Sequence, residues 1–189
     1  MRGTVDFLLN SLLLGVGLSM DAFSVSLVNG LREPGMPVRR ACLIAGVYGA
    51  FQAGMPLLGW ALVRGAAERF QWFAALAPWI GAVLLLRIGY GMLRQKPGEA
   101  PPVLGTGTLL AQGLATSIDA LSVGFAVAEY GAAQAVGAAG IIAAVTFFVC
   151  CAGVSLGRRF GAELADRAPV AGGLILMGIG VELAVRTML

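Results

Sequence analysis

Six apolar stretches dominate this chain, at 7–31, 41–63, 73–93, 108–128, 134–156 and 170–188. Each has the length of a transmembrane helix, which needs about 20 residues to cross the hydrocarbon of a bilayer. None alternates with period two, and backbone groups in lipid must find partners within the spanning structure, so these segments read as helices and not as barrel strands. Composition agrees. Of the 189 residues 58% are hydrophobic and 12% charged, with a mean hydropathy of +0.86. A soluble domain runs at roughly 45–50% apolar and about 25% charged. This chain lacks the polar surface to coat a water-facing fold. The same figures exclude a disordered chain, a collagen and a disulfide-rich secreted module. They argue against a nucleic-acid partner, because the net charge of +3 comes from loops beside apolar segments. The first stretch is too long for the core of a signal peptide and ends in no small-residue cleavage site, so it reads as a retained helix.

The basic residues orient the bundle. The first, third and fifth loops carry Arg32, Arg39, Arg40, Arg94, Lys96, Arg158, Arg159 and Arg167; the other loops and the termini carry Arg2, Arg64, Arg69 and Arg186. The positive-inside rule puts the odd loops in the cytoplasm and both termini outside. A Pro-rich connection at 96–103 divides the chain into a first unit, 1–95, and a second, 104–189.

The two units repeat each other. Ser19-Met20-Asp21-Ala22-Phe23-Ser24-Val25 matches Ser117-Ile118-Asp119-Ala120-Leu121-Ser122-Val123 at an offset of 98, and Gly15 matches Gly113. The third and sixth spans match at an offset of 91, through Ala77-Pro78 with Ala168-Pro169, Gly81 with Gly172, Leu85 with Leu176 and Ile88-Gly89 with Ile179-Gly180. The second and fifth match weakly, around Gly59 and Gly153. Three spans per copy is an odd number, so the second copy must enter the membrane from the opposite face. The predicted fold is therefore an all-α integral membrane bundle of six transmembrane helices arranged as two inverted three-helix repeats, with equivalent residues meeting at mid-depth.

Asp21 and Asp119 are the equivalent pair. A carboxylate at the centre of a membrane helix costs about 2.5–3.5 kcal/mol on insertion scales, and two at matched positions mark a shared ion site. Ser24 lies one turn from Asp21. Thr116 and Ser122 flank Asp119 at three residues on either side, on its own face. Gln52 is the amide of the second span. Carboxylate, hydroxyl and amide oxygens suit a hard dication, and two carboxylates balance a charge of +2. The predicted metal ligands are thus Asp21, Asp119, Ser24, Ser122, Thr116 and Gln52. The chain has no histidine, so its ion and proton chemistry must run on oxygen. Cys42, Cys150 and Cys151 sit in apolar runs and are expected to be small buried hydrophobes. Pro56 is expected to kink the second span. Arg87 and Glu182, the other ionisable residues within spans, are candidates for a pair joining the two halves.

Gly-Leu-Ser-Met-Asp-Ala-Phe-Ser-Val-Ser (17–26) and Ala-Thr-Ser-Ile-Asp-Ala-Leu-Ser-Val-Gly (115–124) closely resemble the paired Asp-Ala motifs of the bacterial MntP-type manganese efflux pumps. Phe51-Gln52 followed by Pro56-Leu57-Leu58-Gly59-Trp60 resembles that family's second span, and 172–180 its last. The resemblance covers nearly the whole chain. It implies an exporter of Mn²⁺ in the bacterial plasma membrane, with Asp21 and Asp119 at the ion site; family members can carry an acidic residue where this chain has Gln52. The broader superfamily includes exporters of amino acids and of cadmium.

Exporting a dication from a negative interior costs about 4.6 kcal/mol per 100 mV, twice the cost of a single charge. No G-x-x-x-x-G-K-[ST] phosphate loop is present, so the expected driver is an ion gradient, most simply protons exchanged at the two carboxylates. The expected partners are a divalent cation, protons and the lipid bilayer, with no resident cofactor and no enzymatic activity; a bundle of this size can work alone or as a homodimer. Other divalent cations (Cd²⁺, Zn²⁺, Mg²⁺) and amino acids are the alternative cargoes. An intramembrane aspartyl protease also needs two embedded Asp residues, but its Tyr-Asp and Gly-x-Gly-Asp motifs are absent from this sequence.

Overall fold

A computed structural model describes residues 2–65, 71–94, 104–126, 130–164 and 167–188. The regular elements among them are helices: α1 (Arg2–Arg32), α2 (Val38–Gly65), α3 (Gln71–Leu93), α4 (Thr106–Thr116), α5 (Ile118–Ala126), α6 (Ala132–Leu164) and α7 (Ala168–Met188). Each predicted span is helical over its described residues, with the fourth divided in two at Ser117. Three helices contain segments long and apolar enough to cross a membrane, Thr4–Arg32, Val38–Leu62 and Ala132–Gly161; α7 contributes a shorter apolar run, Val170–Glu182. The Pro-rich border at 96–103 lies outside the described residues.

The surfaces are those of a protein solvated by lipid. Leu8, Leu9, Leu12, Leu13, Val16 and Met20 form an exposed apolar stripe along α1, and Phe148 on α6 is 70% exposed. The interior holds polar side chains within its apolar core: Ser19, Asn29, Gln52, Gln112, Thr116, Ser117 and Thr146 are all buried. Water would invert this distribution, since apolar area is driven inward there and exposed apolar patches are small. Lipid leaves the apolar faces at no cost, and the polar groups turn inward to find partners. The chain is a multi-pass helical membrane protein.

Helix packing follows the sequence repeat. α1 lies against α6 and α7, α2 against α5 and α6, and α3 against α7 and α4. Close approaches at glycines recur at repeat-equivalent places. A methyl group added at Gly59 would strike the Leu121 carbonyl and Gly124; one added at Gly153 would meet the Phe23 carbonyl and Ser26, the same positions in the other copy. Gly113 abuts Phe51 as Gly15 abuts Val145. On the third helices, Gly89 abuts Gly173 and Met177 as Gly180 abuts Ala82 and Leu86. Gly49 lies against the Ala143 carbonyl, between two positions that correspond to each other.

These contacts also fix direction. Asn29 meets Gln112 while Asp21 lies near Thr116 and Asp119, so α1 runs antiparallel to α4 and α5. Ala82 pairs with Gly180 and Gly89 with Gly173, so α3 opposes α7. Gly49 lies beside Ala143 and Cys42 beside Cys151, so α2 opposes α6. α1, α2 and α3 therefore run antiparallel to α4–α5, α6 and α7 respectively.

At one end the first loop is tied down. Arg40 donates from Nη2 to the Leu104 carbonyl at 2.9 Å and approaches Glu33 at 3.5 Å, and Arg158 donates to the Pro34 carbonyl at 3.2 Å. Aromatic residues gather at the other end, where Trp60 donates to the Tyr130 carbonyl at 2.9 Å and the Phe7 and Tyr130 rings lie 5.7 Å apart. Pro56 sits inside a continuous α2. Cys150 is buried, Cys151 is partly covered, and Cys42 is exposed, contrary to the expectation of three buried thiols. Its position on the outer face of α2 costs little, because a thiol tolerates lipid as it tolerates a protein core.

Candidate ion site

The antiparallel crossing of α1 and α4–α5 brings the two halves of the repeated motif together. Asp21 and Asp119 line one small cavity with Thr116, Ala115, Leu85, Ile179 and Glu182. Its volume is about 10 Å³, room for one water-sized particle. Asp21 lies eleven residues from the end of α1 and Asp119 thirteen from the start of α4. At 1.5 Å per residue these are about 16 and 20 Å of helix from the same end of the bundle.

The second motif is not built like the first. α1 runs unbroken through Ser19 and Asp21, whereas Ser117 adopts φ −107°, ψ 2° and ends α4. Both motifs contain a serine whose hydroxyl bonds back to its own helix, Ser19 to the Val16 carbonyl at 2.9 Å and Ser117 to the Leu114 carbonyl at 3.1 Å. Such bonds compete with the helical ladder without deciding the outcome. Gln52 lies between the two motifs. Its amide donates to the Leu18 carbonyl at 2.8 Å and to the Thr116 carbonyl at 3.0 Å, two repeat-equivalent oxygens. At the break Ala120 N–H turns to the Ser117 carbonyl at 3.1 Å, leaving the Thr116 carbonyl for Gln52. The counterpart of Gln52 in the second copy is Thr146, a far shorter side chain. The break has an electrostatic consequence, since it puts Asp119 in the first turn of α5, where the positive end of a helix dipole favours a carboxylate.

The six predicted ligands separate into two groups. Asp21, Asp119 and Thr116 face the common cavity. Ser24 instead donates to the Met20 carbonyl of its own helix at 3.0 Å, Ser122 is exposed, and Gln52 works one layer away as the clamp between Leu18 and Thr116. The Thr116 hydroxyl itself donates to the Gln112 and Gly113 carbonyls at 2.9 and 3.2 Å, leaving its oxygen lone pairs as acceptors toward the cavity. Among the described residues no group of three or more His, Cys, Asp or Glu side chains is arranged to hold a metal. A cation in this cavity would be held by carboxylates with neutral oxygens or water completing its shell.

The sequence pattern did not single out Glu182 as a cavity residue. It stands three residues beyond Ile179, on the same face of α7, and that spacing was the available signal. Arg87 is exposed on α3. A buried triad of Asn29, Tyr48 and Gln112 was also missed, because its members come from three helices and share no motif. Replacing Gln52 with Leu should lower the thermal stability of the purified protein by about 1–2 kcal/mol, as two buried carbonyls lose a donor. Thermal unfolding in detergent measures this, and an unchanged midpoint would contradict the clamp.

Comparison with known proteins places the chain. A family model described as "Putative manganese efflux pump" matches residues 35–184. The protein of that name from Sorangium cellulosum is 38% identical over 182 residues, covering 91% of this chain and 93% of its own length. Its namesake from Methanothermobacter thermautotrophicus is 39% identical over 180 residues, covering 93% and 95%, and that from Saccharophagus degradans 37% over 180, covering 93% and 97%. No solved structure matches. With a family match across most of its length and relatives aligned nearly end to end, the chain belongs to the MntP family of manganese efflux pumps.

Proposed function

We propose that this protein exports Mn²⁺ from the cytoplasm across the bacterial plasma membrane, by exchange with protons, and that Asp21 and Asp119 hold the ion between two inverted repeats. The observation that carries this reading is the shared cavity. Two repeat-equivalent carboxylates, on helices that run in opposite directions, line one water-sized space. The names of the family and its relatives support manganese as the cargo and efflux as the direction. The size of the cavity, about 10 Å³, favours a single ion over an amino acid.

The six-span inverted topology is supported by the antiparallel course of each helix against its counterpart and by the recurrence of the glycine contacts in both copies. The basic residues of the odd loops then orient both termini outward. In this arrangement protons and the dication exchange at the carboxylate pair, and protons from outside reset the site. Two protons per Mn²⁺ make the cycle electroneutral, so the membrane potential neither drives nor opposes it. Thr116 completes the coordination from the broken end of α4, and Gln52 holds that segment in place.

Everted vesicles test the direction and the coupling together. Mn²⁺ supplied outside should accumulate in a lumen held one pH unit more acidic, by up to about a hundredfold at two protons per metal, since one pH unit is a factor of ten for each proton. Collapsing the pH gradient should stop accumulation, and clamping the potential should leave it unchanged. Accumulation indifferent to the gradient would remove proton exchange while leaving Mn²⁺ export. A panel of Mn²⁺, Mg²⁺, Zn²⁺ and Cd²⁺ in the same vesicles should favour Mn²⁺; faster uptake of Cd²⁺ or Zn²⁺ would reassign the cargo.

A further inference from the structure

We propose that Asn29, Tyr48 and Gln112 form the gate that closes the ion path at the end of the bundle where Arg40 lies; this rests on the transport reading above. The three side chains come from α1, α2 and α4 and all are buried. Asn29 Nδ2 donates to the Tyr48 hydroxyl at 2.8 Å and to Gln112 Oε1 at 3.1 Å. The Tyr48 hydroxyl donates to Gln112 Oε1 at 2.8 Å, and Gln112 Nε2 donates to Asn29 Oδ1 at 3.3 Å. A closed ring of neutral hydrogen bonds thus joins helices of both repeats.

Its location is that of a gate. Asn29 stands eight residues beyond Asp21, about 12 Å along α1, and Gln112 seven residues before Asp119, about 10 Å along the α4–α5 segment. The triad therefore lies between the cavity and the end tied by Arg40 to Glu33 and to the Leu104 carbonyl. At the matching described positions toward the other end the residues are apolar: the counterpart of Gln112 is Leu14 and that of Tyr48 is Ile142.

The chemistry of the triad suits repeated opening. When the helices part, water entering the gap takes over the hydrogen bonds of the amides and the hydroxyl, so the open state leaves no polar group unpaired. In the closed state the ring satisfies the same groups without water. The two states then lie close in free energy, as a gate requires.

A thiol reporter in the cavity tests the gate. Cys42, Cys150 and Cys151 are replaced by Ala, Ala115→Cys is introduced on the cavity wall, and a membrane-impermeant methanethiosulfonate is applied to everted and to right-side-out vesicles. Tyr48→Phe keeps the ring and removes the hydroxyl; Gln112→Leu copies the counterpart residue Leu14. Each should speed labelling from the Arg40 face by roughly three- to twentyfold, the range expected for hydrogen bonds between membrane helices, and leave labelling from the other face unchanged. An unchanged rate from the Arg40 face in both variants, or an equal rise from both faces, would overturn the gate. The gentle Tyr48→Phe change guards against a misfolded protein. Protection of the reporter by Mn²⁺ is read in the same vesicles. If Mn²⁺ gives no protection while the gate variants still speed labelling, the ion-site reading fails and the gate stands.

Discussion

Asp119→Asn, and separately Asp21→Asn, should abolish Mn²⁺ export while leaving the protein folded. Each change keeps the shape of the side chain and removes one of the two charges that balance the dication. Losing a ligand costs more than losing a residue behind a ligand, which already weakens metal binding by about 10–100-fold, so the expected fall in affinity is at least a hundredfold. Cells that depend on this exporter should become manganese-sensitive with either variant. A second readout separates a lost site from a lost fold. A mid-membrane carboxylate costs about 2.5–3.5 kcal/mol on insertion scales, so each Asn variant without metal should be at least as stable as the parent. The parent should gain about 2.7 kcal/mol in Mn²⁺ at a hundred times its dissociation constant, and the variants should gain almost nothing. Normal manganese tolerance in both variants would refute the site.

Gly157→Val should cost about 3 kcal/mol or more and deplete the folded protein. A side chain at Gly157 would run into the Leu27 carbonyl, and its Cβ would lie 3.0 Å from the Gly30 Cα. The obstacle is backbone, which cannot rotate aside as a side chain can, and overpacking already costs about 1–3 kcal/mol where side chains can shift. α1 and α6 would have to separate along the contact that also involves Gly153 and Gly161. The control is glycine on an open face. Gly54 and Gly140 are helical, exposed and have nothing within 4 Å of an added methyl, so Gly54→Ala and Gly140→Ala should stabilise by about 1 kcal/mol through helix propensity. Thermal unfolding in detergent and the yield of monodisperse protein distinguish the two classes. Equal effects at Gly157 and Gly54 would mean that the close crossing contributes nothing.

The path from sequence to site was uneven for physical reasons. Asp21 and Asp119 were legible because a carboxylate in an apolar run is costly and its repetition at a fixed offset is visible without coordinates. Thr116 was legible from helical spacing, since three residues bring it to the face of Asp119. The same rule chose Ser24 and Ser122, which do not line the cavity. Spacing gives the face of a helix, but it does not give the angle at which a second helix crosses that face. Ser24 spends its proton on the Met20 carbonyl, and Ser122 points away from the cavity. Gln52 was expected among the ligands, and its amide acts on two backbone oxygens that no pattern of side chains announces. The Asn29–Tyr48–Gln112 ring was illegible, because its 83-residue separation between Asn29 and Gln112 is closed only by the antiparallel meeting of the two halves.

By itself the sequence determined the solvent, the helices and the duplication. Those are written in composition, in segment length and in offsets, all of them local or additive quantities. The tertiary structure decided the rest: that α4 ends at Ser117 while α1 continues past Ser19, that Glu182 lines the cavity of the two aspartates, and that Asn29, Tyr48 and Gln112 meet in one buried ring. Two nearly identical motifs took different backbone paths although one long amide on a neighbouring helix reaches both. Such an outcome depends on which groups meet across the bundle, and distance in space between remote residues is the quantity a linear chain does not record.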